Sequence, residues 1–532
     1  MVDDVQTAPP GDPVGPFGNP DGSRADLDDL LDGFVDFRGD PAFGALATRA
    51  SDATARIIVG RMGAGKTVYL RRLHNHQHKQ DSVFACHIQQ SVPSTEVIVK
   101  ACQWFPDAYL TEKWMQLWRC AILRSLASYL LADRTLLRYL SEEDERLLKR
   151  RYLDLLDDVR RPRAVYSELR AIVGRCNSSY ELTRFMDDQR WDDLEDLLAE
   201  LLADTPPIFF YIDAVDEEFS SAPMYWLRCQ KGLFFETMRM LRDPRLGGRL
   251  HIVTCIRDIV LSSVYRDEHA PRYHGEPHIR VLSWGHGSIE VLLRHKLRRL
   301  PPAYQMAPAA SEDVLHNWLG ATTVHNERRG IDEQVMDYLL RHTRLIPRDV
   351  VSLGNALCQE VLRQRALGHD RLPEGALRRI VSQSAKRFGN SQLAQCANQI
   401  AADMMPGNAA LYGYAEGYVS SQEYAQTVQR ELRDIIGLVG VDRFGYKDLM
   451  TLRSAGDEMF DGHTDVPSVL WQNGLLGFAE RPNVHRFYSL ADIDEFEVPE
   501  DVEEYAFHPV VIDAVRSVTS TGGQPVHPFV RE

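Results

Sequence analysis

Five short runs of consecutive apolar residues, 56–59, 83–88, 208–212, 250–254 and 279–282, are separated by stretches whose apolar positions recur every three or four residues. Continuous apolar runs alternating with helical stretches are the pattern of parallel strands buried on both faces, so the spacing predicts an α/β fold with a five-stranded parallel sheet. Between the second and third runs, residues 112–131, 144–159 and 191–203 keep helical periodicity and predict a large helical insertion over about 105–204. Trp114 and Trp118 lie one turn apart there, which suits a shared core face; an aromatic contact site for a partner is the alternative. Beyond Pro301 and Pro302 the strands give way to helical stretches at 332–342, 348–366 and 374–387. From 422 a new order begins. Two helical stretches lead to 466–473, then 475–479 and 484–490 form a hairpin around Arg481-Pro482-Asn483, the order of a winged helix.

A chain of 532 residues exceeds what one core organises, since domains run to about 100–200 residues. The predicted units are a tail at 1–40, an α/β core at 41–300, a helical lid and linking bundle at 301–420, a winged-helix-like unit at 421–490 and an acidic segment at 491–532. The tail carries Pro9, Pro10, Pro13, Pro16 and Pro20 among glycines and aspartates, too little apolar surface to fold alone, and is expected to be disordered. Residues 27–37 read as an acidic linker, with a short docking helix as the alternative. The longest apolar runs fall short of the roughly 18 residues of a membrane span. Eight cysteines without a Cys-x-x-Cys pair, and an acidic start, point to the cytoplasm, with Cys86 and Cys102 as free buried thiols. The formal charge of −15 works against non-specific adhesion to nucleic acid. Only nine of the 61 basic residues are lysines, a codon-like bias that lowers the weight of any arginine cluster.

The chemistry concentrates after the first strand. Gly60-Arg61-Met62-Gly63-Ala64-Gly65-Lys66-Thr67 matches G-x-x-x-x-G-K-[ST] between an apolar strand and a helical stretch. Glycines let backbone N–H groups converge on phosphates, Lys66 supplies charge toward the β and γ oxygens, and the Thr67 hydroxyl can ligate magnesium. The run 208–212 ends in Asp213, a carboxylate suited to the same Mg2+. Glu217 is the first choice and Asp216 the second for orienting an attacking water. Together these residues predict a P-loop NTPase that takes ATP and Mg2+ and hydrolyses slowly.

The fourth strand ends in Thr254 and Arg257, a hydroxyl and a guanidinium at the rim where a γ-phosphate would sit; pairing of Arg257 with Asp258 is the structural alternative. Arg348 opens a helix after Pro347 and is placed to reach back to nucleotide, or else lies at the surface. Arg266 and Arg272 precede the fifth strand as candidate fingers into a second subunit, with solvated loop arginines as the bland reading. His74, His76 and His78 alternate, but on a helix they should diverge, without a completing ligand set for zinc.

The order of these motifs resembles the AAA+ and STAND classes of P-loop ATPases. Asp213-Ala214-Val215-Asp216-Glu217 looks like the extended STAND Walker B, Arg257 falls where that class often carries an arginine, and His342-Thr343-Arg344-Leu345-Ile346-Pro347-Arg348 is similar to the lid segment of initiator-type ATPases. The resemblance covers roughly residues 45–490 and implies a helical lid followed by a winged helix. It also implies a nucleotide-dependent switch in a multi-protein bacterial system, phage defence among the settings it suggests. The chain departs from typical STAND proteins in having no recognisable effector domain or C-terminal repeat array, which points to a separate partner protein. ATP-dependent homo-oligomerisation is expected if Arg266 or Arg272 acts across subunits. The rival reading is a DNA-engaging initiator, loader or translocase. Seven basic against ten acidic residues between Ser421 and Leu490 disfavour a phosphate-binding wing.

Overall fold

The computed structural model describes residues 15–22, 24, 56–79, 81–88, 100–101, 104–105, 110–157, 159–213, 223–246, 248–266, 270–308, 311–327, 329–404, 421–460, 462, 464–481, 484–489, 496–515, 517–521 and 524–529. Strands β1 (Ile57–Gly60), β2 (Phe84–Ala85), β3 (Ile208–Ile212), β4 (Leu250–Arg257) and β5 (Ile279–Val281) form one sheet in the order β2-β3-β4-β1-β5. Every pairing is parallel. Side chains alternate across it as a period of two requires. Ile58, Phe209, Tyr211, Val253 and Cys255 pack on one face with Leu70 and Leu73 of α1 (Lys66–His78), while Ile57, Val59, Phe210, Ile212, Ile252 and Ile256 enter the main core. Because both faces are covered, the strands read as unbroken apolar runs. β4 extends three residues past the predicted end and so brings Arg257 beside Gly60.

The insertion between β2 and β3 is helical: α2 (Leu110–Ala132), α3 (Arg134–Leu137), α4 (Glu142–Arg151), α5 (Leu153–Leu156), α6 (Val165–Arg175), α7 (Ser179–Met186) and α8 (Arg190–Asp204). Trp114 and Trp118 are fully buried, and the Trp118 indole N–H donates to the Cys229 carbonyl at 2.9 Å on α9 (Pro223–Arg242), tying insertion to core. After β4 come α10 (Asp258–Tyr265) and, beyond β5, α11 (His286–Arg298) and α12 (Val314–Leu319). The stretch predicted as helix at 332–342 begins differently: β6 (Thr323–Asn326) and β7 (Ile331–Gln334) form an antiparallel hairpin, and α13 spans Val335–Arg341. Its polar strand Ile331-Asp332-Glu333-Gln334 has one buried side chain, Glu333, held by Arg341, an ion pair that periodicity does not reveal. Two long helices follow, α14 (Pro347–Ala366) and α15 (Glu374–Met404).

The C-terminal part runs α16 (Ser421–Val439), β8 (Arg443–Phe444), α17 (Tyr446–Met459), α18 (Val466–Gln472), β9 (Leu476–Arg481) and β10 (Val484–Phe487). The residues after 490 are not a separate acidic tail: β11 (Tyr505–Phe507) sits between β9 and β8, and β12 (Pro528–Phe529) pairs with β10, completing a sheet of order β12-β10-β9-β11-β8. The reason is apolar: Tyr505, Ala506 and Phe507 are fully buried despite the acids before them. Between them, α19 (Pro509–Ala514) lies against α15, close enough that a Cβ on Gly389 would come within 2.4 Å of the Val510 carbonyl. Part of the expected disordered tail is also packed. Residues 15–22 form a tight turn with Phe17 fully buried, whereas the 27–37 stretch lies outside the described residues. Seven described cysteines, Cys86 among them, are buried and form no disulfide among the described residues, and Cys102 lies outside the described residues. Among the described residues no helix is long and apolar enough to cross a membrane.

Candidate phosphate-binding site

β1 ends at Gly60 and α1 starts at Lys66, so the intervening loop must turn sharply at the sheet's C-terminal edge. Gly63 (φ 90°) and Gly65 (φ 96°) take left-handed backbone that other residues adopt only under strain. Gly65 caps α1 without a side chain, leaving the first-turn N–H groups directed into the loop. The loop is also held from outside. The Trp284 indole N–H donates to the Ala64 carbonyl at 2.8 Å, and the Arg348 backbone N–H donates to the Gly63 carbonyl at 3.3 Å. Lys66 is buried, its Nζ donating to the Gly60 carbonyl at 2.8 Å and the Arg61 carbonyl at 3.1 Å. The Thr67 hydroxyl donates to Asp213 Oδ1 at 3.2 Å, and the Asp213 carbonyl accepts from the Tyr166 hydroxyl of the insertion at 2.7 Å. A lysine, a hydroxyl and a carboxylate thus converge on one helix N-terminus.

Comparison with family models, with curated proteins and with solved structures finds no match. The residues themselves therefore carry the functional reading.

The structure brings Arg257 to the loop, its guanidinium 3.7 Å from the Met62 sulfur, with its backbone N–H donating to Gln230 Oε1 at 3.3 Å. Asp258 pairs with Arg61, Nε to Oδ2 3.6 Å. Thr254 is central in the sheet beside Ile57 and Ile212, its hydroxyl buried without a hydrogen-bond partner among the described residues. Arg348 packs its Cβ over Gly63, where an added methyl would come within 2.8 Å of it. Arg344 instead forks onto Asp349, with Nε to Oδ2 and Nη2 to Oδ1 both 2.8 Å, so it shapes the turn at Leu345 (φ 52°). Arg266 turns onto its own chain, donating to Gln472 Oε1 at 2.9 Å and lying over the Phe496 ring. Arg272 is exposed. Asp216 and Glu217 lie outside the described residues.

The three histidines do not all diverge: His74 and His78 stack four residues apart at 5.6 Å between centroids. Burial, and the nearby His78 and His87, push the His74 pKa down to about 4.

Sequence reasoning missed the N-terminal turn. Phe17 N–H donates to Asn355 Oδ1 and the Asn355 amide donates to the Gly18 carbonyl, both at 2.9 Å. The Phe17 ring lies over Gly354, where a Cβ would sit 2.3 Å from it, and 5.4 Å from Trp318. From there the Pro20 carbonyl accepts from Arg348 Nε at 3.3 Å and the Gly22 carbonyl from Arg71 at 2.7 Å. A Cβ on Gly22 would touch Val68, next to Thr67. Residues 15–22 therefore strap α14 to α1 across the loop. The signal was one aromatic, Phe17, among glycines and prolines, which composition alone reads as tail.

Proposed function

We propose that this chain binds Mg-ATP at residues 60–67 and acts as a slow ATPase and nucleotide-dependent switch. The observation that carries the reading is the convergence of Lys66, the Thr67 hydroxyl and Asp213 on a glycine loop at the edge of a five-stranded parallel sheet. In this reading Lys66 exchanges its two loop carbonyls for phosphate oxygens, and Thr67 and Asp213 hold the magnesium ion, which offsets phosphate charge. Arg257, beside Met62, and Arg348, packed over Gly63, supply charge that reads the terminal phosphate, and Glu217 or Asp216 orients water.

The helices at 335–404 are read as a lid, supported by Arg348 packing on Gly63. The order α16-β8-α17-α18-β9-β10 supports a winged helix, whose net acidity favours a protein partner over DNA. Calorimetric titration of wild type and Lys66→Ala with Mg-ATP tests the site. We expect tight binding lost by more than about 100-fold in the variant, the scale of losing a charged partner of a buried phosphate. Equal affinity would end the assignment.

A further inference from the structure

One buried amide beside the end of β4 has its donor end unmatched. Gln230, on α9, is fully buried, and its Nε2 finds no hydrogen-bond partner among the described residues. A buried donor left unmet costs about 1–3 kcal/mol, which an apolar side chain of the same size would avoid. The side chain is also held in place. The carbonyl of its neighbour Cys229 accepts from the Trp118 indole N–H at 2.9 Å, and its own Oε1 accepts from the Arg257 backbone N–H at 3.3 Å. A backbone N–H can only donate, so it fixes the oxygen of the carboxamide toward β4 and turns the NH2 away from it.

Strand geometry says where that amide stands. The Thr254 N–H donates to the Arg56 carbonyl, on the β1 side of β4, at 2.8 Å. Backbone N–H groups point to alternate sides along a strand, so the Arg257 N–H, three residues on, points to the β3 side. There the pairing with β3 has ended, at Ile212 opposite Thr254, and Gln230 reaches over from α9 to supply the acceptor that β3 does not. Its carboxamide therefore lies on the line of β3, two strand steps or about 7 Å beyond Asp213. Asp213 is the carboxylate that accepts from Thr67 in the first turn of α1. The edge of the sheet thus presents a carboxylate suited to a cation and, past it, a neutral donor.

A donor that is buried, fixed and unmatched suits an anionic oxygen that the chain itself does not contain. We infer that Gln230 Nε2 donates to a terminal-phosphate oxygen of ATP and so gives the site its preference for ATP over ADP. The inference rests on the reading of residues 60–67 as an ATP site. Lys66 and the first-turn N–H groups of α1 meet phosphate that both nucleotides carry, whereas Gln230 stands beyond Asp213. A neutral amide there adds a charge-assisted bond in the ATP state without burying a further unpaired charge in the ADP state.

The test is calorimetric titration of the full chain with Mg-ADP and with the β,γ-methylene analogue of Mg-ATP, which keeps the terminal phosphate and resists hydrolysis. Gln230→Met keeps the size of the side chain and removes the donor. We expect affinity for the analogue to fall about 10–100-fold, the scale of one hydrogen bond to a charged group, while affinity for ADP stays within about twofold. Repeating the titration in an Arg257→Ala background separates direct contact from positioning. A direct contact loses the same factor again, whereas a residue that acts only by placing the Arg257 guanidinium loses nothing further. Unchanged analogue affinity in folded Gln230→Met, equal loss for both nucleotides, or no further loss beside Arg257→Ala would overturn the assignment. If thermal unfolding shows that Gln230→Met does not fold, Gln230→Asn, which withdraws the amide by one methylene, is read by the same outcomes. A wild type that binds neither nucleotide ends the ATP reading itself; a wild type that binds both, with its preference intact in Gln230→Met, ends only the role of Gln230.

Discussion

Thr67 and Asp213 are 146 residues apart in sequence and 3.2 Å apart in space, one in the first turn of α1 after β1 and the other just past β3, two strands with β4 between them. Each residue was legible on its own. The loop advertises itself through glycines at fixed offsets from Lys66, and Asp213 through the apolar run it ends, because both signals are local. Their pairing depends on strand order, which local pattern does not carry. If the pair holds magnesium, Asp213→Asn keeps the shape and removes the charge. We expect ATP affinity in magnesium to fall about 10–100-fold, while affinity in EDTA stays near wild type. Calorimetry with and without magnesium checks this, and equal losses in both would mean that Asp213 only supports the loop. Arg257, by contrast, was placed at the rim by its strand, and the added finding is its contact with Met62.

At the scale of elements, the strands were readable because both faces are buried, and long helices because an apolar stripe repeats. Failures came where one buried polar contact outweighs pattern, as with Glu333 in β7, or where a few apolar residues follow an acidic stretch, as in β11. The short helix α19 shows how such an element depends on its cap. His508 accepts from the Val510 N–H at 3.3 Å through a buried imidazole, and burial, with the charges of Arg61 and Arg344 adding, drives its pKa down to about 3. The folded pKa lies below the ordinary value near 6.5, so the unfolded chain takes the proton first. Its contribution is therefore full above about pH 6.5 and is lost as pH falls toward 3. His508→Asn keeps a capping oxygen but does not titrate. Urea unfolding at pH 4 to 7 should show a stability slope shallower by about one proton in the variant. An unchanged slope would place the titration elsewhere.

For the whole molecule, the decisive contacts join distant parts of the chain: the N-terminal strap to α14 and α1, and the C-terminal sheet to the loop, where Arg61 Nη2 donates to the Tyr488 carbonyl just past β10 at 2.7 Å. Phe17 is the strap's anchor. We expect Phe17→Ala to lower stability by about 3 kcal/mol if the strap unfolds with the rest, by loss of a buried ring. Limited proteolysis should then cut near residues 15–22 in the variant and spare wild type; equal resistance would show that the strap is held by its backbone bonds alone. By itself the sequence determined the strands, the glycine loop with Lys66 and Thr67, the carboxylate Asp213 and the helical insertion, because each is encoded by neighbours along the chain. Only the tertiary structure decided that a glycine- and proline-rich stretch is a strap, that residues after 490 complete a sheet, and that Arg61 faces Tyr488. Those outcomes turn on shape and hydrogen bonding between surfaces hundreds of residues apart, where a single Phe or Arg carries no periodic signal.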